Sequence, residues 1–95
     1  MLTPSRIRDL RIAANLRQED LAVLLSVGIA TVSRWERPEG TLPTGFSRQV
    51  FEALDGLAKA KVDLSTISVL LRQAGSLAAI RWILNTAAEG GPAGV

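Results

Sequence analysis

The stretch Gln18-Glu19-Asp20-Leu21-Ala22-Val23-Leu24-Leu25-Ser26-Val27-Gly28-Ile29-Ala30-Thr31-Val32-Ser33-Arg34-Trp35-Glu36 decides how this chain folds. Gln18, Leu21, Ala22 and Leu25 fall at i, i+3, i+4 and i+7, which is one face of a helix. Ala22 is the small member of that face and lets a second helix cross close above it. Ser26-Val27-Gly28 breaks the pattern. Gly28 is permissive in backbone angle and suits either the turn or the start of the next helix. Beyond it, Val32 and Trp35 point one way, while Ile29, Ala30, Ser33 and Arg34 point the other. That outward set is small and carries a single charge. A face of this kind fits a DNA major groove, which admits a helix but not extra bulk.

On the N-terminal side, Thr3-Pro4-Ser5-Arg6 reads as a helix start, with Thr3 as N-cap and Pro4 at the first helical position. This helix is expected to run to about Ala14, with Ile7, Leu10, Arg11 and Ala14 inward. Asn15 is a plausible left-handed stop. Leu16 plugs the junction. Arg17 then sits where a Ser or Thr cap belongs, at a loss of about 1 kcal/mol, and puts a cation at the positive end of a helix. A nearby phosphate would offset both.

On the C-terminal side, Arg37-Pro38-Glu39-Gly40-Thr41-Leu42-Pro43 reads as a loop. Thr44 or Thr41 caps a helix to about Lys61, with Phe46, Val50, Leu54 and Leu57 as its apolar stripe. Asp63 caps a further helix carrying Leu64, Ile67, Leu70, Leu71 and Ala74, which Gly75 ends. Ser76 caps a last helix with Leu77, Ile80, Ile83, Leu84 and Ala87. The expected organisation is a helix-turn-helix domain over 1–61, a helical pair over 62–89 and a flexible tail over 90–95.

A chain of 95 residues holds one core and no large active-site cavity. Its apolar content of 47%, with two Phe, two Trp and no Tyr, is that of an aliphatic helical bundle. The absence of Cys excludes disulfides and thiolate metal sites, and the absence of His removes the commonest general base and metal ligand. Neither a phosphate-cradling Gly loop nor a pair of carboxylates at a plausible site is present, so an enzyme, a cofactor and a metal are not expected. Net charge is only +2, but up to Arg48 every cation is Arg: Arg6, Arg8, Arg11, Arg17, Arg34, Arg37 and Arg48. Arg offers phosphates and guanine edges a planar fork that Lys lacks. Arg6 to Arg11 interrupts any leader-like apolar run. A cytoplasmic protein is expected.

Residues from about Ile7 to Leu54 resemble the helix-turn-helix domain of the phage repressor and Cro family, also called XRE-like regulators. The matching landmarks are Leu10-Arg11, Leu16, Gln18-Glu19-Asp20-Leu21-Ala22, Val27, and Thr31-Val32-Ser33-Arg34-Trp35-Glu36. The resemblance implies an all-α bundle of four to five helices plus a C-terminal helical extension. It implies a structural ion pair between Arg11 and Glu36, which gives Arg11 a reason to lie on an apolar face. It places base reading on Ile29, Ala30, Ser33 and Arg34, with Arg34 forking onto guanine and the apolar pair packing on thymine methyls. It places a phosphate contact on Gln18, and Arg17, Thr31, Arg37 and Arg48 are expected to contact phosphates by their own positions along the chain.

The expected function is therefore a sequence-specific DNA-binding regulator, a repressor acting on an inverted repeat of double-stranded DNA. A DNA-binding antitoxin or a phage or defence-locus regulator is a related alternative, with a protein partner on the C-terminal helices. A different class is an interaction adaptor that has lost DNA binding, which the apolar Ile29 and Ala30 keep open. The C-terminal helices either finish the monomer core or form a homodimer interface through Leu64, Ile67, Leu70, Leu71, Leu77, Ile80, Ile83 and Leu84. The mean hydropathy of +0.23 favours the interface.

Overall fold

In the computed structural model, which describes residues 1–90, local chemistry accounts for most helix ends. Helix α1 spans Pro4–Ala13. The Thr3 hydroxyl accepts the Arg6 backbone N–H at 3.1 Å, and Pro4 opens the first turn. Asn15 stops the chain in the left-handed region at φ 59°. Helix α2 spans Gln18–Leu25 and α3 spans Ile29–Trp35, with Gly28 extended just before it. Helix α4 spans Gly45–Lys59, α5 Thr66–Ala74 and α6 Ser76–Ala88. The described residues contain no strand, and the fold is all-α. No helix among them is long and apolar enough to cross a membrane.

Three expected caps resolve differently. The start of α2 needs no phosphate, because its own first turn supplies the negative charge. Asp20 accepts the Arg17 backbone N–H at 2.9 Å and the Arg17 guanidinium at 3.3 Å, and Glu19 lies 2.9 Å from the same guanidinium. Asp63 shapes the turn ahead of α5 by accepting the N–H and O–H of Ser65 at 3.0 and 2.7 Å. Ser76 reaches sideways: its hydroxyl donates to the Val23 carbonyl at 3.3 Å and ties α6 to α2. The tail expected over 90–95 lies, apart from Gly90, outside the described residues.

One core runs through all six helices. Ile7 and Leu10 of α1, Leu21 of α2, Val32 of α3, and Val50, Leu54 and Leu57 of α4 are fully or almost fully buried. The stripe of α4 is the expected one over Val50, Leu54 and Leu57, and only its first member differs. Phe46 is exposed, because it overhangs the edge of the core at the helix start, and Phe51 takes the aromatic position instead. Phe51 meets Trp35 edge-to-face, with ring centroids 5.8 Å apart and planes at 89°. This orientation sets a ring edge against the negative face of its neighbour. It locks the end of α3 to the middle of α4. Arg6 of α1 donates to Asp55 of α4 at 2.7 Å, so it is paired across the bundle.

Helix α6 packs on α5, α4 and α2, and the core crosses the boundary expected at residue 61. This corrects the expected interface. Leu64, Ile67, Ile80 and Ile83 are buried inside the monomer, because α5 packs on α6 and α6 closes over α4 and α2. Leu70, Leu71 and Leu84 pack partly buried against the same core. Of the eight residues expected to join two copies, Leu77 alone is exposed.

Candidate nucleic-acid interface

The turn between α2 and α3 is built from Ser26, Val27 and Gly28. Ser26 takes the left-handed conformation at φ 56° and ψ 45°. The Val27 N–H returns to the Ala22 carbonyl at 3.0 Å, the same carbonyl that takes the Ser26 N–H, and this closes the end of α2. Ala22, Leu21 and Leu25 are buried on the inner side of α2, and Val32 and Trp35 on the inner side of α3. The inner face of α3 is thereby held, and its opposite face is left outside.

The far end of α3 is fixed by polar contacts. Glu36, just past the helix, accepts from Arg11 through both carboxylate oxygens, at 2.6 Å from Nε and 3.0 Å from Nη2. The Arg11 and Glu36 side chains keep 13% and 7% of their surface in solvent, so the pair is almost dry. A third Arg11 nitrogen donates to the Leu16 carbonyl at 2.9 Å, and the Gln18 amide donates to Glu36 at 3.3 Å. No buried side-chain polar atom among the described residues lacks a partner. The expected phosphate contact at Gln18 is thus, in the structure, turned toward Glu36.

A second clamp escaped sequence reading. A Cβ on Gly40 would lie 1.8 Å from the Arg34 carbonyl oxygen and 2.7 Å from its carbon. Contacts that short do not occur, so the loop backbone rests directly on the end of α3 and only Gly fits. The Gly40 N–H closes the turn on the Arg37 carbonyl at 3.0 Å. The sequence signal was one Gly after Pro38-Glu39. That marks a turn but does not say what the turn touches.

The outward face of α3 is open. Ile29, Ala30 and Arg34 are exposed, and Thr31 and Ser33 are half-buried. Arg34 donates to the Thr31 hydroxyl at 3.2 Å. Among the described residues, neither Arg34 nor Arg37 has a carboxylate within ion-pair distance. Arg17 and Arg48 differ from them. Arg17 is held by Glu19 and Asp20, and Arg48 lies 3.8 Å from Glu52. Exposed pairs of this kind contribute little, so an incoming phosphate can compete for either guanidinium. The Asp20 carboxyl is held below the usual carboxylate range, first by the Arg17 backbone N–H, against the opposing effect of burial. It stays ionised at neutral pH and anchors the start of α2.

Two short helices joined by a three-residue turn, the first packed over the second and the second open on one face, form a helix-turn-helix. In such modules the second helix lies in the major groove while the first crosses the backbone. The chain belongs to the helix-turn-helix domain family, whose model matches residues 5–65. The match ends one residue before α5, so α5 and α6 lie outside it. No curated protein and no solved structure matches the chain.

Proposed function

We propose that this protein is a sequence-specific transcriptional regulator of the phage-repressor and Cro type. It acts as a repressor, and a homodimer occludes a promoter by binding an inverted-repeat operator. The observation that carries the reading is the open face of α3, with Arg34 on it and Arg37 just beyond it, neither of them paired to a carboxylate. An unpaired guanidinium can fork onto the two acceptors of guanine or onto phosphate. Ile29 and Ala30 supply apolar contact for thymine methyls, and Ser33 serves either base type. Thr31 pre-aims Arg34 through their hydrogen bond. Arg17, Gln18, Arg37 and Arg48 grip the strands on either side, with Gln18 turning from Glu36 toward the backbone on binding.

The test is selection of bound sequences from random duplexes, followed by titration of the winner at two salt concentrations. A regulator selects a two-fold symmetric site. Its log affinity falls with log salt at a slope of about −0.9 per neutralised phosphate. An interaction adaptor selects nothing and shows no slope, and that outcome overturns the proposal.

A further inference from the structure

The helix-turn-helix match ends at residue 65, and every phosphate contact assigned above lies within it. Two cations lie beyond: Arg72 in the last turn of α5 and Arg81 in α6. Both are exposed, and neither has a carboxylate within ion-pair distance among the described residues. Their surroundings differ. Helix α6 packs on α2, and the Ser76 hydroxyl fixes that contact on the Val23 carbonyl at 3.3 Å. Arg72 precedes Ser76, and Asp20 precedes Val23, each by about one helical turn of residues. The end of α5 is thereby brought beside the first turn of α2. The charges agree with this placement. The Asp20 carboxyl, lowered first by the Arg17 backbone N–H and against the opposing effect of burial, is drawn down further by the charge of Arg72. Arg81 is not among the charges that act on it.

Arg72 comes near Asp20 without being captured. Both Asp20 oxygens are already taken by Arg17: Oδ2 accepts its backbone N–H at 2.9 Å and its Nε at 3.3 Å, and Oδ1 accepts its Nη2 at 3.4 Å. The Arg72 guanidinium keeps its donors for another acceptor. The first turn of α2, taken alone, has the wrong sign for a nucleic-acid strand. Arg17 stands there against Glu19 and Asp20, one cation against two carboxylates, and Gln18 is neutral. In a docked helix-turn-helix this helix crosses the sugar–phosphate backbone. An uncancelled negative charge there repels phosphate. Arg72 cancels it and offers a planar fork that no carboxylate occupies.

We infer that Arg72 grips a DNA phosphate beside the start of α2, so that α5, outside the matched module, is part of the DNA-binding surface. The inference rests on the DNA-binding reading proposed above and adds to it a contact from another helix. Docking selects the ligand: with α3 in the major groove, the strand that α2 crosses is the anion presented to Arg72. Such a contact positions the protein and carries no sequence information. Its loss should weaken all duplexes alike.

Titration of the selected duplex with the full chain across a salt series, followed by fluorescence anisotropy, tests it. Arg72→Gln should bind the selected site and its single-base variants several-fold more weakly. Its slope of log affinity against log salt should be shallower by about 0.9, the value of one phosphate. Arg72→Lys keeps the charge and should retain most of the slope. Arg81→Gln removes the same charge from another exposed position and should leave the slope unchanged. The melting temperature of Arg72→Gln should match that of the unaltered chain, since an exposed attraction to Asp20 contributes little. An unchanged slope in Arg72→Gln overturns the inference. So does an equal change in Arg72→Gln and Arg81→Gln, which would mark a general effect of net charge. A loss of affinity that follows a fall in melting temperature, in Arg72→Gln and Arg72→Lys alike, makes Arg72 a structural residue and overturns it too. If the unaltered chain shows no salt slope at all, the DNA-binding proposal fails and takes this inference with it. If the unaltered chain binds and Arg72→Gln binds identically, this inference alone fails.

Discussion

Removing one partner of the Arg11–Glu36 pair should destabilise this protein far more than removing both. The carboxylate is 93% buried, since its side chain keeps only 7% of its exposure, and it takes two bonds from Arg11 at 2.6 and 3.0 Å. In Arg11→Met it is left with the Gln18 amide at 3.3 Å as its sole side-chain donor. Stranding a buried charge in this way costs about 3–5 kcal/mol, and access to water at the edge of the bundle trims it to about 2–4. Glu36→Leu should cost less, about 1–2 kcal/mol, because Arg11 keeps the Leu16 carbonyl at 2.9 Å and can slide its head toward solvent. In the double variant two apolar side chains meet, and such replacements are often neutral. The coupling is then about 3 kcal/mol or more, against about 0.5 kcal/mol for independent sites. Urea unfolding followed by circular dichroism measures it. At a slope of about 1 kcal/mol per molar for a small domain, Arg11→Met should lower the midpoint by about 2–4 M. Losses that simply add, within about 0.5 kcal/mol, would mean that the two groups touch without depending on each other.

Four further outcomes follow from the geometry. Gly40→Ala forces a methyl into the Arg34 backbone, so either the loop or the end of α3 must shift by more than 1 Å from the 1.8 Å approach; a loss of about 1–3 kcal/mol is expected, and an unchanged melting temperature would refute the contact. Ser26→Gly relieves a left-handed serine at φ 56°, and a rise of a few degrees in Tm is expected, with a fall counting against the strain. Burial tends to raise the Asp55 carboxyl, but hydrogen bonds from Lys59 and Arg6 outweigh it and hold the group below its usual value. Its contribution is therefore complete above the unfolded pKa of about 4 and is lost as pH falls through the lower folded value. An acid titration of stability should be visibly flatter for Asp55→Asn than for the unaltered chain. Arg34→Ala should lose about 1–3 kcal/mol of operator affinity and relax preference at one base pair, measured by titration of single-base variants of the selected site.

The local grammar of the chain gave the helices and the turn; the contacts between distant segments it did not give. Gln18–Leu25 was readable because the inner residues repeat at the helical period and Ser26-Val27-Gly28 interrupts them. The left-handed Asn15 was readable because few residues tolerate that conformation. Phe46 and Phe51 show where such reasoning stops. Both fit an apolar stripe on α4, and the choice between them depends on where the core ends, which Trp35 and the other helices decide. Arg6 pairs with Asp55, which lies 49 residues away, and no local pattern joins the two.

The C-terminal helices show the same limit with a functional consequence. An apolar stripe on α5 and α6 requires a covering surface, but the stripe looks the same whether that surface is α4 or another copy. In this fold α5 and α6 cover each other and α4 and α2 cover the rest of α6, and Leu64, Ile67, Ile80 and Ile83 are used up inside one chain. Leu77, which stays exposed, shares a groove with Phe46 of α4, and residues that far apart in sequence are joined by no helical period. The reading face of α3 is the opposite case. Ile29, Ala30, Ser33 and Arg34 come from a single helix, and the spacing that turns Val32 and Trp35 inward turns those four outward.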